Sequence, residues 1–119
     1  MTWKTIRLEL ARTPKFPQGS AAHAYVIRLP IDDNGMIERG EMKHPTESPV
    51  VRRLWPNEQD RAGVVINQRA GWAFSYEAGD AEDEGIFHLE HHPIILGEYL
   101  TITEADGQRL PFRVSSCHI

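Results

Sequence analysis

Residues 99–114 read YLTITEADGQRLPFRV, which is the clearest hairpin pattern in the chain. Apolar side chains alternate with polar ones on both sides of a short centre, residues 104–107 (EADG). Such alternation is typical of strands with one buried face, and glycine can take the positive φ that a bulged hairpin turn requires. The stretch therefore predicts an antiparallel hairpin whose apolar residues are Leu100, Ile102, Leu110, Phe112 and Val114.

The same period of two recurs along the rest of the chain, in short runs that proline and glycine separate. These runs are residues 5–10, 23–29, 51–55, 64–66, 72–76 and 86–91. Only the segment from Glu38 to His44 shows a weak helical pattern. Because many short strands without long helical periods are typical of barrels and sandwiches, we predict an all-β (mainly β) fold. The prediction is a small barrel or sandwich of about 6–8 short antiparallel strands with at most one short helix.

The length and composition predict one β domain over residues 1–119. The chain has 119 residues, of which 40% are hydrophobic and 25% are charged. A chain of this size can bury one core without disulfides or metal ions. Alternation predicts that this core contains Ile6, Leu8, Leu10, Tyr25, Ile27, Leu29, Phe74, Phe87, Leu89, Leu100, Ile102, Phe112 and Val114.

The charge and cysteine content limit the classes of partner and compartment. The formal net charge is −4 and the pI is near 5.8, so we do not expect a broad nucleic-acid-binding surface. No apolar run is long enough for a membrane span, and charges interrupt the apolar stretch that a signal peptide would need. Cys117 is the single cysteine, which favours a reducing compartment. We therefore expect a cytoplasmic protein.

One strand carries the densest set of metal-ligating residues, residues 88–92 (HLEHH). On a strand, His88, Glu90 and His92 project to one face, where two imidazoles and a carboxylate can bind zinc or ferrous iron. Alternation in an ordinary half-buried strand produces the same pattern, and no second histidine or cysteine cluster supplies the remaining ligand. We expect no cofactor, with a divalent metal at these three residues as the alternative.

Other clusters favour structural interpretations. Asp32 to Gly35 resembles part of a calcium-binding loop, but Pro30 occupies the first ligand position, so a turn is the better interpretation. Ser20 lacks the glycines of a nucleophile elbow, and His23 lies on an apolar strand face, as a buried or rim histidine does. Cys117 and His118 point to opposite faces of a strand.

Two further segments differ in burial. Trp72, Phe74 and Tyr76 share one strand face without interleaved basic residues, which favours core packing over base stacking. The acidic segment from Glu77 to Gly85 is predicted to be a mobile loop, since it has little apolar surface to bury.

Residues 97–107 (GEYLTITEADG) and 53–58 (RLWPNE) resemble a family of small bacterial proteins of unknown function. The resemblance implies a bacterial, single-domain protein and carries no activity. We therefore expect a non-catalytic binding or accessory module in the bacterial cytosol, whose partner is a protein or a small-molecule ligand. The alternative function is a metal-dependent enzyme or a metal sensor that uses the His88, Glu90 and His92 face.

Overall fold

The computed structural model describes residues 2–68, 71–76, 84–87, 93–104 and 106–119. Within these ranges the chain forms eight strands and one short 3-10 helix, which spans Arg39–Glu41. The strands are β1 (Thr2–Leu10), β2 (Ser20–Ile31), β3 (Val50–Leu54), β4 (Arg61–Gln68), β5 (Gly71–Tyr76), β6 (Glu84–Phe87), β7 (Tyr99–Thr103) and β8 (Arg109–His118). The all-β prediction is confirmed, and the short helix lies inside the segment predicted for it.

The strands form a closed antiparallel barrel in which each strand pairs with its neighbours in the sequence. The barrel closes where β8 pairs with β1, for example Leu8 with Val114. Closure leaves none of the eight described strands with an unpaired edge, which is the physical advantage of a barrel over an open sheet. Of the two predicted architectures, the barrel is therefore the one observed.

The terminal hairpin has the predicted register. Leu100 pairs with Phe112 and Ile102 with Leu110 across β7 and β8. The turn closes through a hydrogen bond from the Glu104 N–H to the Gln108 carbonyl oxygen, at 2.7 Å. Gly107 takes φ +90°, the left-handed conformation expected of this glycine.

The barrel interior contains the residues that alternation predicts, together with others that it did not, among them Trp3, Ile31 and Ile94. The largest fully buried side chains include Tyr25, Phe74 and Phe112, whose rings contact each other around Tyr25 at centroid distances of 5.1 and 5.2 Å. Every predicted core residue whose side chain the structure describes is buried. The side chain of Phe87 and the whole of Leu89 lie outside the described residues.

The turn after β2 lies at one end of the barrel, where it contacts residues 93–95. The Asp32 carboxylate accepts hydrogen bonds from the N–H groups of Asn34 and Met36, at 2.8 and 3.0 Å. Ile94, only 2% exposed, donates its N–H to the Gly35 carbonyl oxygen and packs into the core. Asp32 thus caps a turn, as the turn interpretation predicts.

No helix in the described ranges is long and apolar enough to cross a membrane.

Candidate functional site

The opposite end of the barrel is open and holds a pocket of about 510 Å³, here called the mouth pocket. Three connections surround it: the loop between β1 and β2, the turn between β3 and β4, and the β7–β8 hairpin turn. Its lining combines aromatic and charged side chains, among them Phe16, His23, Arg53, Trp55, Glu58 and Glu104. This volume lies within the range of sites that hold small molecules, roughly 300–1,000 Å³.

A buried ion pair forms the base of the mouth pocket. Arg53 on β3 and Glu104 after β7 are 9% and 8% exposed, and Arg53 Nη2 donates to Glu104 Oε1 at 3.0 Å. Tyr25, fully buried and paired with Arg53 across β2 and β3, donates its hydroxyl to Glu104 Oε2 at 2.6 Å. Both carboxylate oxygens of Glu104 therefore accept charge-assisted or short hydrogen bonds, which offsets the cost of burying the charge.

The outer side of the Arg53 guanidinium faces Trp55 and Glu58. Its Cζ lies 3.8 Å from the Trp55 ring centroid, close enough for a cation–π contact. Its Nη1 donates to Glu58 Oε1 at 2.8 Å, but the Glu58 side chain is 50% exposed. Arg53 is thus held between an inner carboxylate that is buried and an outer carboxylate that is half in solvent.

The surroundings of Arg53 keep its guanidinium charged. Burial works to lower the pKa of Arg53, but hydrogen bonds with Glu104 and Tyr25 and the negative charge of Glu104 raise it, and the net direction is upward. Because arginine is always protonated in proteins, the raised pKa means that the charge is stabilised by its partners inside the barrel.

Three aromatic rings form one wall of the mouth pocket. The His23 ring centroid lies 4.7 Å from that of Phe16 and 4.8 Å from that of Trp55. Phe16 is held by a tight turn in which its N–H donates to Thr13 Oγ1 at 3.0 Å. Since the rings touch each other, they form a continuous wall against which a flat ligand can pack. We call Phe16, His23 and Trp55 the aromatic wall.

His23 contributes a neutral imidazole to this wall. Burial lowers its pKa from the usual 6.5, and the positive charges of Lys15 and Arg53 lower it further. Its Nδ1 lies 2.7 Å from the Ser20 hydroxyl oxygen. The ring is half-buried, which agrees with the rim position expected from the sequence.

The predicted metal face lies outside the described residues, since His88, Glu90 and His92 all fall in the gap between 87 and 93. The metal alternative therefore stays a prediction. In the part of the chain that the structure describes, no group of three or more histidine, cysteine, aspartate or glutamate residues is placed to hold a metal ion. The acidic segment also falls largely in a gap, at residues 77–83.

The remaining sequence predictions are tested by burial. Trp72, Phe74 and Tyr76 are 3%, 0% and 5% exposed, which confirms core packing over base stacking. Cys117 is a partly buried free thiol that packs against the core.

Sequence reasoning missed the two charged residues at the centre of the mouth pocket. The sequence places Glu104 in a hairpin turn, where carboxylates are usually solvated. In the structure Glu104 is buried, because it accepts hydrogen bonds from Arg53 and Tyr25. The sequence does contain a clue to the position of Arg53. Arg53 lies two residues after Val51 on β3, so the two side chains point to the same face, and Val51 faces the core. A tyrosine on an apolar face also requires a hydrogen-bond partner.

Comparisons with protein-family models, with curated proteins and with solved structures gave no match to this chain, so the resemblance to a bacterial family stays a prediction.

Proposed function

We propose that this protein is a non-catalytic binding module of the bacterial cytosol that takes a small aromatic molecule into its mouth pocket. The observation that carries the proposal is the aromatic wall beside a buried ion pair at an open barrel end. A site of this kind offers apolar surface for packing and a few fixed polar groups for orientation, which is the usual composition of a ligand site.

The polar groups of the mouth pocket support binding better than catalysis. General acid–base chemistry needs a group that exchanges protons with the substrate near neutral pH. Both Glu104 oxygens accept hydrogen bonds from Arg53 and Tyr25, and Arg53 keeps its proton. Arg53 and Glu104 are thus committed to each other and to Tyr25, so these two charged groups position a ligand rather than transform it.

The cytosolic assignment rests on the single cysteine, Cys117, which favours a reducing compartment. The bacterial assignment rests on the sequence resemblance alone.

Indole is a suitable first probe, since it is flat, aromatic and uncharged. The three tryptophans supply an internal control, because Trp55 lines the mouth pocket while Trp72 lines a hollow near the 3-10 helix and Trp3 is buried elsewhere. In two-dimensional NMR we expect indole to shift the Trp55 side-chain N–H and leave those of Trp3 and Trp72 in place.

A pair of variants tests the location of binding. Trp55→Leu should abolish the indole-induced shifts at His23 and Phe16, whereas Leu96→Ser, at an exposed side chain 63% accessible, should leave them unchanged. Shifts that are absent, or that are equal at all three tryptophans, would contradict the proposal.

A further inference from the structure

We infer that the mouth pocket selects aromatic ligands with a carboxylate group, and that the ligand carboxylate takes the place of the Glu58 side chain on Arg53. The inference rests on the proposed function and adds the chemical class of the ligand. It follows from the different burial of the two carboxylates that Arg53 contacts.

The inner carboxylate cannot be exchanged. Glu104 is 8% exposed, and its two oxygens are held by Arg53 and by the buried Tyr25 hydroxyl. Releasing Glu104 from this arrangement would leave a charge without compensation in the protein interior, which is strongly unfavourable. Arg53 therefore keeps Glu104 whether or not a ligand is present.

The outer carboxylate can be exchanged at small cost. Glu58 is 50% exposed and lies in the turn after Trp55, where Asn57 takes φ +62°. Losing this contact costs little, because water solvates the exposed Glu58 carboxylate as soon as it leaves and Glu104 still neutralises the buried Arg53. Glu58 thus occupies the outer face of the guanidinium without holding it firmly.

The site that Glu58 vacates suits a carboxylate attached to a ring. Arg53 Nη1, which now donates to Glu58 at 2.8 Å, lines the mouth pocket beside the face of Trp55. A carboxylate on Nη1 would restore the charge balance of one guanidinium and two carboxylates. The attached ring would then lie beside the aromatic wall, and the remaining charged residues of the lining, Lys15 and Asp106, have opposite signs.

The test compares 2-naphthoate with its neutral analogue 2-naphthamide by isothermal titration calorimetry. The two probes share the ring and differ in the charge that meets Arg53. In the parent protein we expect 2-naphthoate to bind about tenfold more tightly, since charge-assisted hydrogen bonds to arginine are the stronger ones.

The Glu58→Gln variant gives the decisive result. It removes the competing carboxylate and leaves Arg53 and Glu104 unchanged, so 2-naphthoate affinity should rise about two- to fivefold while 2-naphthamide affinity stays the same. Asp60→Asn is the matched control. It removes a carboxylate from the neighbouring exposed pair with Arg52, which lies outside the mouth pocket, and should change neither affinity.

The outcomes separate this inference from the proposed function. Equal binding of both probes, with Trp55 shifted, would overturn the carboxylate preference and leave the binding module standing. A lower 2-naphthoate affinity in Glu58→Gln would overturn the exchange on Arg53. No binding of either probe, together with no indole binding, would overturn the proposed function as well.

Discussion

Arg52 and Arg53 are neighbours on β3, and each forms an ion pair of almost the same length. Arg52 meets Asp60 at 2.9 Å and Arg53 meets Glu104 at 3.0 Å. The side chains of the first pair are 59% and 53% exposed, whereas those of the second are 11% and 9% exposed. Adjacent residues on a strand point to opposite faces of the sheet. The ion pair of Arg52 therefore lies in water, whereas the ion pair of Arg53 lies inside the barrel.

The distance between the charges therefore does not by itself determine how much an ion pair contributes to stability. In water the attraction is weak and is offset by side-chain entropy and screening, so an exposed pair contributes about 0–1 kcal/mol. Inside a protein the attraction is stronger, but removing both charges from water costs several kcal/mol per ion. The Arg53–Glu104 pair is therefore expected to matter most when only one member is removed.

The largest effect is expected for Arg53→Met, which leaves Glu104 buried without its cation. We expect the free energy of unfolding to fall by about 3–5 kcal/mol, the usual result of breaking a buried pair. Chemical denaturation measures this loss.

Replacing Arg53, Glu104 and Tyr25 together tests whether that loss comes from the uncompensated charge of Glu104. The triple variant Arg53→Met, Glu104→Leu, Tyr25→Phe leaves no buried charge in this cluster, so it should regain most of the lost stability. A cost below about 1 kcal/mol for Arg53→Met alone would show that the buried pair is no different from the exposed one.

A smaller loss is expected for Tyr25→Phe. This change removes the hydroxyl that donates to Glu104 Oε2 at 2.6 Å and leaves the ring packed between Phe74 and Phe112. Loss of a hydrogen bond to a charged group should cost about 1.5–3 kcal/mol in unfolding free energy. Tyr99→Phe is the control, because Tyr99 is 55% exposed and its change should cost under about 0.5 kcal/mol. Equal effects at the two tyrosines would contradict a role for the buried hydroxyl.

The exposed pair provides the next test. Asp60→Asn should lower the unfolding free energy by less than about 1 kcal/mol, since both side chains of the pair stay solvated. The small difference from the parent should shrink further in high salt, where the attraction between exposed charges is screened. Denaturation of parent and variant at low and high salt measures both values. If Asp60→Asn lowered the unfolding free energy as much as Arg53→Met does, the predicted difference between the exposed and the buried ion pair would be wrong.

The sequence predicts the barrel well and the mouth pocket poorly, for one physical reason. Apolar alternation reports which face of a strand is buried, and it correctly placed Leu8, Tyr25, Ile102 and Phe112 inside. A charged residue at an inward position interrupts that pattern, and its partner is distant in sequence. Glu104 lies 51 residues from Arg53 and 79 from Tyr25, so only the closed barrel brings the three together.

The aromatic wall was hidden for a similar reason. Phe16 comes from a loop, His23 from the start of β2 and Trp55 from the residue after β3. No spacing rule connects such positions, because their contact depends on the three connections meeting at one end of the barrel. The folded barrel brings the three rings together, whereas strand periodicity predicts only which face each side chain occupies within its own strand.

The smallest expected effect is on the pH dependence of stability that His23 produces. The charge of Arg53 contributes to the pKa of His23. Its pKa in the folded protein is below 6.5, first through burial and then through Lys15 and Arg53. Between the folded pKa and 6.5 the unfolded chain binds more protons, so this contribution to stability is full above pH 6.5 and is lost as the pH falls through the folded pKa. The variant His23→Asn should therefore lose less stability than the parent on acidification.

NMR titration of the His23 ring measures its pKa directly. Lys15→Gln should move the His23 pKa upward, because it removes one of the positive charges that lower it. Lys4→Gln, on β1 away from the mouth pocket, should not move it. A His23 pKa at or above 6.5 in the parent would contradict this prediction, because the charges of Glu104 and Glu58, which raise the pKa, would then outweigh burial, Lys15 and Arg53.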